Sequence, residues 1–308
     1  MMPEDAVSQF TYDRENKLGM GGNGVVFEGT WRTNLEETKV AVKRILIENI
    51  NAREETALRQ CHHPNVIKLL GIYSDHKDFK FLVLELCNAS LDRLFWGEKN
   101  PNKYRGPMPA TKKDVCLQLA KGMEHIHEQR LIHRDVKPGN VLIWVDSTGE
   151  SVLMKWADFD LSKPVSENGS HSISGLRGTK DWYAPEIYRM QSETTSTQSE
   201  EGENVENPIR PRGTVKSDVF SEGLVFGYYL LGGIHPFRGR YEHDTQINII
   251  ENRFNLNGID EHHHIIHMHD IIMDMWNSDP VERISSSQVV ERISNIEGWQ
   301  EPSIPPSP

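Results

Sequence analysis

Cysteine is scarce in this 308-residue chain, which carries only Cys61, Cys87 and Cys116. So odd and sparse a set builds no disulfide framework, and its spacing matches no zinc pattern, so a reducing compartment is expected. Positive charge is also in short supply. The 34 Lys and Arg residues face 45 Asp and Glu, leaving a net charge of -11. A nucleic-acid binder driven by bulk positive charge is excluded, because neutralising phosphates needs a basic excess, and no nucleic-acid partner is expected. Long apolar runs are missing too. The longest, Gly223 to Ile234, falls far short of the roughly 20 residues that span a bilayer. The first ten residues hold Glu4 and Asp5 and no apolar core, so they do not read as a secretory leader. These absences predict a soluble, cytoplasmic protein with no membrane span.

What is present is an ordinary globular composition, with 37% apolar and 26% charged residues, long enough for two lobes around a sizeable core. The first third reads as strands: Gly24 to Gly29, Lys39 to Ile45 with alternating polarity, and Lys80 to Leu86. Between them Ala52 to Cys61 is built of helix formers. After Cys87 the period changes. Val115, Leu119, Met123 and Ile126 recur at three- and four-residue steps, as do Ile265, Met268, Ile272 and Met275. Ser217 to Leu231 is apolar nearly all round and reads as a buried helix. The expectation is an α+β fold with a β-rich first lobe over residues 10–87 and a mainly helical second lobe over 88–300. Gly97 to Pro109 reads as a polar loop. Gln191 to Asn207 holds Glu193, Glu200, Glu201, Glu203 and Glu206 with no basic residue, and a disordered acidic insertion is expected over 191–213. Residues 1–9 and 301–308 read as flexible tails.

Three motifs carry chemistry. Gly19-Met-Gly21-Gly-Asn-Gly24-Val-Val26 is glycine-rich, so its backbone can turn tightly and bring N–H groups close to phosphate oxygens. A strand follows it directly, where a dinucleotide-binding fingerprint would have a helix. About 20 residues on, Val40-Ala41-Val42-Lys43 ends in a lysine placed to contact phosphates. Such a lysine needs a carboxylate, and of Glu54 and Glu55 the former is preferred, because Leu58 one turn later then faces the same core. His133-Arg134-Asp135-Val136-Lys137-Pro138-Gly139-Asn140 sets a carboxylate, an ammonium and an amide on one loop. Asp135 can orient a hydroxyl and accept its proton, Lys137 can neutralise a transferring phosphoryl group, and Asn140 can ligate a metal.

On these motifs the chain resembles the eukaryotic protein kinase superfamily from about residue 10 to 295. The resemblance implies a bilobal kinase fold, ATP and Mg2+ as cofactors, and Ser/Thr-bearing protein substrates. Asp158-Phe159-Asp160 stands at the family's Asp-Phe-Gly, with Asp158 as magnesium ligand beside Asn140. Ala184-Pro185-Glu186 closes the activation segment, Asp218 is its buried helix aspartate, and Arg283 is the partner of Glu186. Leu84 falls at the gatekeeper position. Gly19, Gly21, Gly24, Val26, Ala41, Lys43, Glu85, Cys87 and Leu142 are the implied nucleotide-binding positions. Lys137 and Gly178-Thr179 match the serine/threonine class.

Within that class Val40 to Leu46, His63-Pro-Asn-Val-Ile67, Leu84 to Cys87, Lys216 to Gly223 and His235-Pro-Phe237 resemble the inositol-requiring kinase/endoribonucleases. Only 25 residues follow Arg283, so of that architecture the kinase alone is expected, without lumenal, membrane or ribonuclease parts. Asp160 departs from the family's glycine. It keeps open an alternative, a kinase-fold nucleotide-binding scaffold that transfers phosphate poorly.

Arg134 is placed to receive an activation-segment phosphate, so phosphorylation in trans is expected at one or more of Ser166, Ser170, Ser172 and Ser174, with a homodimer as its vehicle. His262, His263, His264, His267 and His269 read as a surface helix end, since no Cys or carboxylate completes a metal site. Trp144, Trp156 and Trp182 read as core or rim.

Overall fold

The computed structural model describes residues 10–21, 24–33, 36–49, 52–75, 78–166, 170–172, 178–190, 212–241, 243–257 and 265–297. The first lobe is built from β1 (Phe10–Met20), β2 (Val25–Arg32), β3 (Glu37–Leu46), α1 (Ala52–Gln60), β4 (Leu69–Ser74) and β5 (Phe79–Glu85). Its strands form an antiparallel sheet in the order β1-β2-β3-β5-β4. Alternation along β3 gives the sheet two covered faces. Val40 and Val42 join Phe81 and Val83 in a small outer cluster under Phe10, Tyr12 and Trp31. Ala41 and Lys43 take the opposite face and line the cleft between the lobes, while Ile45 enters the main core. Register sets Lys43 opposite Val26 on β2 and Leu82 on β5.

The chain leaves this sheet at Glu85 and enters the second lobe at β6 (Ala89–Ser90). There follow α2 (Lys112–Glu128), β7 (Leu131–Ile132), β8 (Val141–Val145), β9 (Val152–Trp156), β10 (Lys163–Pro164), β11 (Ser170–Ser172), β12 (Arg212–Thr214), α3 (Val215–Leu230), α4 (Asp244–Ile250), α5 (Ile265–Met275) and α6 (Ser286–Ser294). The apolar steps of α2 are its buried face: Val115, Leu119, Met123 and Ile126 are buried. Thr111 caps it reciprocally. Its hydroxyl accepts from the Asp114 N–H at 3.0 Å while the Asp114 carboxylate accepts from the Thr111 N–H at 3.1 Å. Helix α3 is buried on nearly every side, as its composition predicts, and it carries Asp218 and Glu222 into the core.

One boundary differs from expectation. The acidic insertion was expected to run to residue 213, but Arg212–Thr214 forms β12 and pairs antiparallel with β11. The backbone groups there find partners across the pair and lead directly into α3. Residues 191–211, Ser174, His262, His263, His264 and both expected tails lie outside the described residues.

Candidate active site

A cleft of roughly 440 Å³ lies between the lobes. Gly19, Gly21, Gly24, Val26, Ala41, Lys43, Glu54, Glu85, Cys87, Asn140, Leu142 and Asp158 all line it, so sequence positions from 19 to 158 converge on one space. Val26, Ala41, Leu84 and Leu142 make its walls apolar. The glycines differ in what they do. A Cβ on Gly24 would sit 2.5 Å from the Arg44 carbonyl oxygen, so close approach of β3 requires glycine there. A Cβ on Gly19 or Gly21 would meet nothing within 4 Å, so these two leave open space above the cleft. Glu85 gives its carboxylate to Lys155, at 3.0 Å, and to the Lys68 N–H, at 2.8 Å. Burial pushes the Cys87 thiol pKa up, aided by the Glu85 charge, and keeps it neutral.

Deep in the cleft the Lys43 ammonium meets three carboxylates. It donates to Glu54 at 2.7 Å, to Asp160 at 2.5 Å and to Asp158 at 3.2 Å. Burial opposes its charge, but the three carboxylates outweigh burial and hold its pKa above the ordinary lysine value. Burial pushes Glu54 up to about 8, against the pull of Lys43 and with the help of Asp160. Asp160 is held low, because the Glu54 hydrogen bond and the Lys43 charge outweigh its own burial. The two carboxyls are thus pushed in opposite directions around one lysine.

The loop between β7 and β8 organises a second group. Asp135 accepts from Lys137 Nζ at 2.7 Å and from Asn140 Nδ2 at 2.8 Å on one oxygen. On the other it accepts from the Thr179 N–H and hydroxyl, each at 3.1 Å. Lys137 also donates to the Thr179 hydroxyl at 2.7 Å. Asp135 and Lys137 lie outside the cleft wall itself, and Asn140 joins them to it. Two non-glycine residues here have left-handed backbones, Arg134 at φ 71° and Asp158 at φ 64°. Each such conformation costs about 1–3 kcal/mol and persists only where the surroundings impose it. For Arg134 the imposing group is Asp218, whose carboxylate accepts from the His133 N–H at 2.6 Å and the Arg134 N–H at 3.0 Å. Burial works against the Asp218 charge, but His127, His133 and the Arg134 amide hold its pKa below the ordinary value.

The fold and this constellation agree with comparison to known proteins. The family described as "Protein kinase domain" matches residues 12–293. The chain belongs to the protein kinase family. It is 34% identical over 292 residues to the serine/threonine-protein kinase/endoribonuclease ire-1 of Caenorhabditis elegans, covering 92% of this chain and 27% of that protein. It is 33% identical over 300 residues to the serine/threonine-protein kinase/endoribonuclease IRE1 of Hypocrea jecorina, covering 90% and 23%. To human serine/threonine-protein kinase/endoribonuclease IRE2 it is 32% identical over 292 residues, covering 92% and 28%. The chain thus spans about a quarter of the length of these relatives. No helix among the described residues is long and apolar enough to cross a membrane.

Kinase residues expected from sequence come together, including Glu54 in preference to Glu55, which instead pairs with Lys80 and Arg59. Glu186 and Arg283 form a bidentate pair at 2.8 and 2.9 Å. Sequence reasoning flagged Asp160 as a departure but did not place it against Lys43. It also missed Lys155 as the partner of Glu85, and Asp92, Arg93 and Trp96 in the cleft wall. Of the tryptophans, Trp156 is core, and Trp144 and Trp182 are partly buried.

Proposed function

We propose that the chain is a serine/threonine protein kinase that moves the γ-phosphoryl group of ATP to a protein hydroxyl. The observation that carries this reading is the Asp135 carboxylate, fixed by Lys137, Asn140 and Thr179 beside a cleft of nucleotide size. The serine/threonine preference is supported by the Lys137–Thr179 contact and by the names of the relatives.

The donor set fits magnesium. Asp158 brings a carboxylate. Asn140 gives its amide nitrogen to Asp135, which leaves its amide oxygen as a ligand, and hard divalent cations take oxygen donors. When bound, the ion supplies charge neutralisation at the phosphate oxygens. Lys43 holds the inner phosphates from the roof of the cleft. Asp135 accepts a hydrogen bond from the substrate hydroxyl and takes its proton as the oxygen attacks the γ-phosphorus. The new O–P bond forms in line as the bond to the β–γ bridging oxygen breaks, and ADP carries away that electron pair. Lys137 meets the charge that develops on the transferring group.

The protein substrates include a second copy of this chain. Ser166 is exposed in the activation segment, and Ser170 and Ser172 lie in β11. The test mixes wild-type protein with a mass-tagged D135A variant in Mg-ATP and reads intact mass. Phosphate on the tagged variant, and none when it is incubated alone, is expected. An unchanged mass for both proteins would contradict transfer in trans. Tight nucleotide binding with no transfer to any substrate would favour the scaffold reading.

A further inference from the structure

Lys43 has three ammonium hydrogens, and three carboxylates take them. The three acceptors are not equivalent. The Asp158 side chain is the most exposed, at 38%, and makes the longest contact, 3.2 Å. The side chains of Glu54 and Asp160 are only 4% and 10% exposed, and their contacts are shorter. Asp158 is therefore the acceptor that gives way when phosphates enter, which leaves two carboxylates to hold the lysine. They belong to different elements: Glu54 to α1, and Asp160 to the segment that follows β9.

We propose that Asp160 is a positioning residue for Lys43, a second buried carboxylate anchor that shares with Glu54 the work of aiming the ammonium into the cleft. The inference deepens the kinase reading and rests on it for the function of Lys43. A glycine at position 160 has no side chain, so there Glu54 would be the only deeply buried counter-charge. Here Asp160 adds a second one from the segment after β9. Three consequences follow from the geometry. Lys43 stays aimed into the cleft while α1 shifts. Lys43 bridges Glu54 to Asp160, which ties α1 to the segment carrying Asp158. Because two buried carboxylates share the ammonium, the cost of removing the Glu54 charge depends on residue 160.

The test is a double-mutant cycle of Glu54→Gln and Asp160→Asn, which preserve shape and remove charge. Two quantities are read in all four proteins. One is the rate at which an amine-acylating reagent modifies Lys43, followed by peptide mass, which needs neither nucleotide nor activity. The other is phosphate transfer, with KM for ATP separated from kcat. With Asp160 present, E54Q is expected to cost about threefold in kcat/KM; in the D160N background the same change is expected to cost about a hundredfold or more, because Lys43 then loses both buried counter-charges. The excess loss falls mainly in KM, and Lys43 acylation accelerates about tenfold or more in the double variant alone. D160E is expected to restore most of the loss seen with D160N in the E54Q background. An E54Q effect of equal size in both backgrounds would overturn the proposal, as would acylation that ignores residue 160. Absence of transfer in all four proteins, with the acylation pattern as expected, would remove the kinase reading and leave the anchor standing.

Discussion

At the scale of single residues, the core holds one group whose burial has a measurable cost. Glu222 on α3 is fully buried, and neither carboxyl oxygen has a hydrogen-bond partner among the described residues. Burial, with Asp218 and Glu124 nearby, raises its pKa well above 4.5, so the folded protein keeps it neutral. The unfolded chain ionises it above its ordinary value, binds fewer protons than the fold, and so gains on it as pH rises. Stability is expected to fall by up to about 1.4 kcal/mol per pH unit from near pH 5 upward, until the folded pKa is reached. Glu222→Gln removes that slope. Thermal melts of both proteins between pH 5 and 8 are expected to diverge, with the variant gaining at high pH; parallel curves would show that Glu222 is already ionised. Sequence revealed little of this. The periodicity of Ser217 to Leu231 marks a buried helix, but not that a glutamate within it lacks a partner. Asp160 is a like case: its oddity is legible in three adjacent letters, while its partner Lys43 lies 117 positions away.

At the scale of elements, composition and periodicity were enough to locate α1, α2, α3 and α5, but not the short helices α4 and α6. Strand β3 was readable because alternation puts Val40 and Val42 on one face and Lys43 on the other. Strand β1 was not, since its middle is charged and largely exposed and its pairing with β2 shifts register twice. The two-residue strands β6, β7 and β10 carry no period at all, and tertiary pairing alone makes them strands. The clearest long-range tie between segments is Arg283 with Glu186. Arg283 is 1% exposed, forks onto both Glu186 oxygens, donates to the Asn277 and Lys216 carbonyls, and stacks over Phe220 at 5.0 Å. It pins the helical residues 185–190 to the end of the second lobe. Removing one partner strands a buried charge, so Arg283→Ala is expected to cost about 3–5 kcal/mol, read as a lowered urea midpoint. Arg283→Lys is expected to recover only part, because a lysine cannot make the two-pronged contact. Full recovery by lysine would mean that charge alone, without fork geometry, holds the segment.

At the scale of the whole molecule, two lobes bring residues from β1 to the segment after β9 around one cleft, and a buried aspartate on α3 holds the loop that carries Asp135. The order of the motifs made that assembly legible before any coordinates. What order does not encode is electrostatic balance, which depends on burial and on the angle between lobes. Here it gathers three carboxylates on one lysine. The central claim is that this arrangement transfers phosphate. Its most direct test is transfer from γ-labelled Mg-ATP to a generic basic protein substrate, with nucleotide binding measured on the same preparations of wild type and Asp135→Ala. The expected result is transfer by the wild type, a loss of at least about a thousandfold in the variant, and similar nucleotide affinity in both. Equal transfer by the two proteins, or tight binding without transfer by either, would contradict the account.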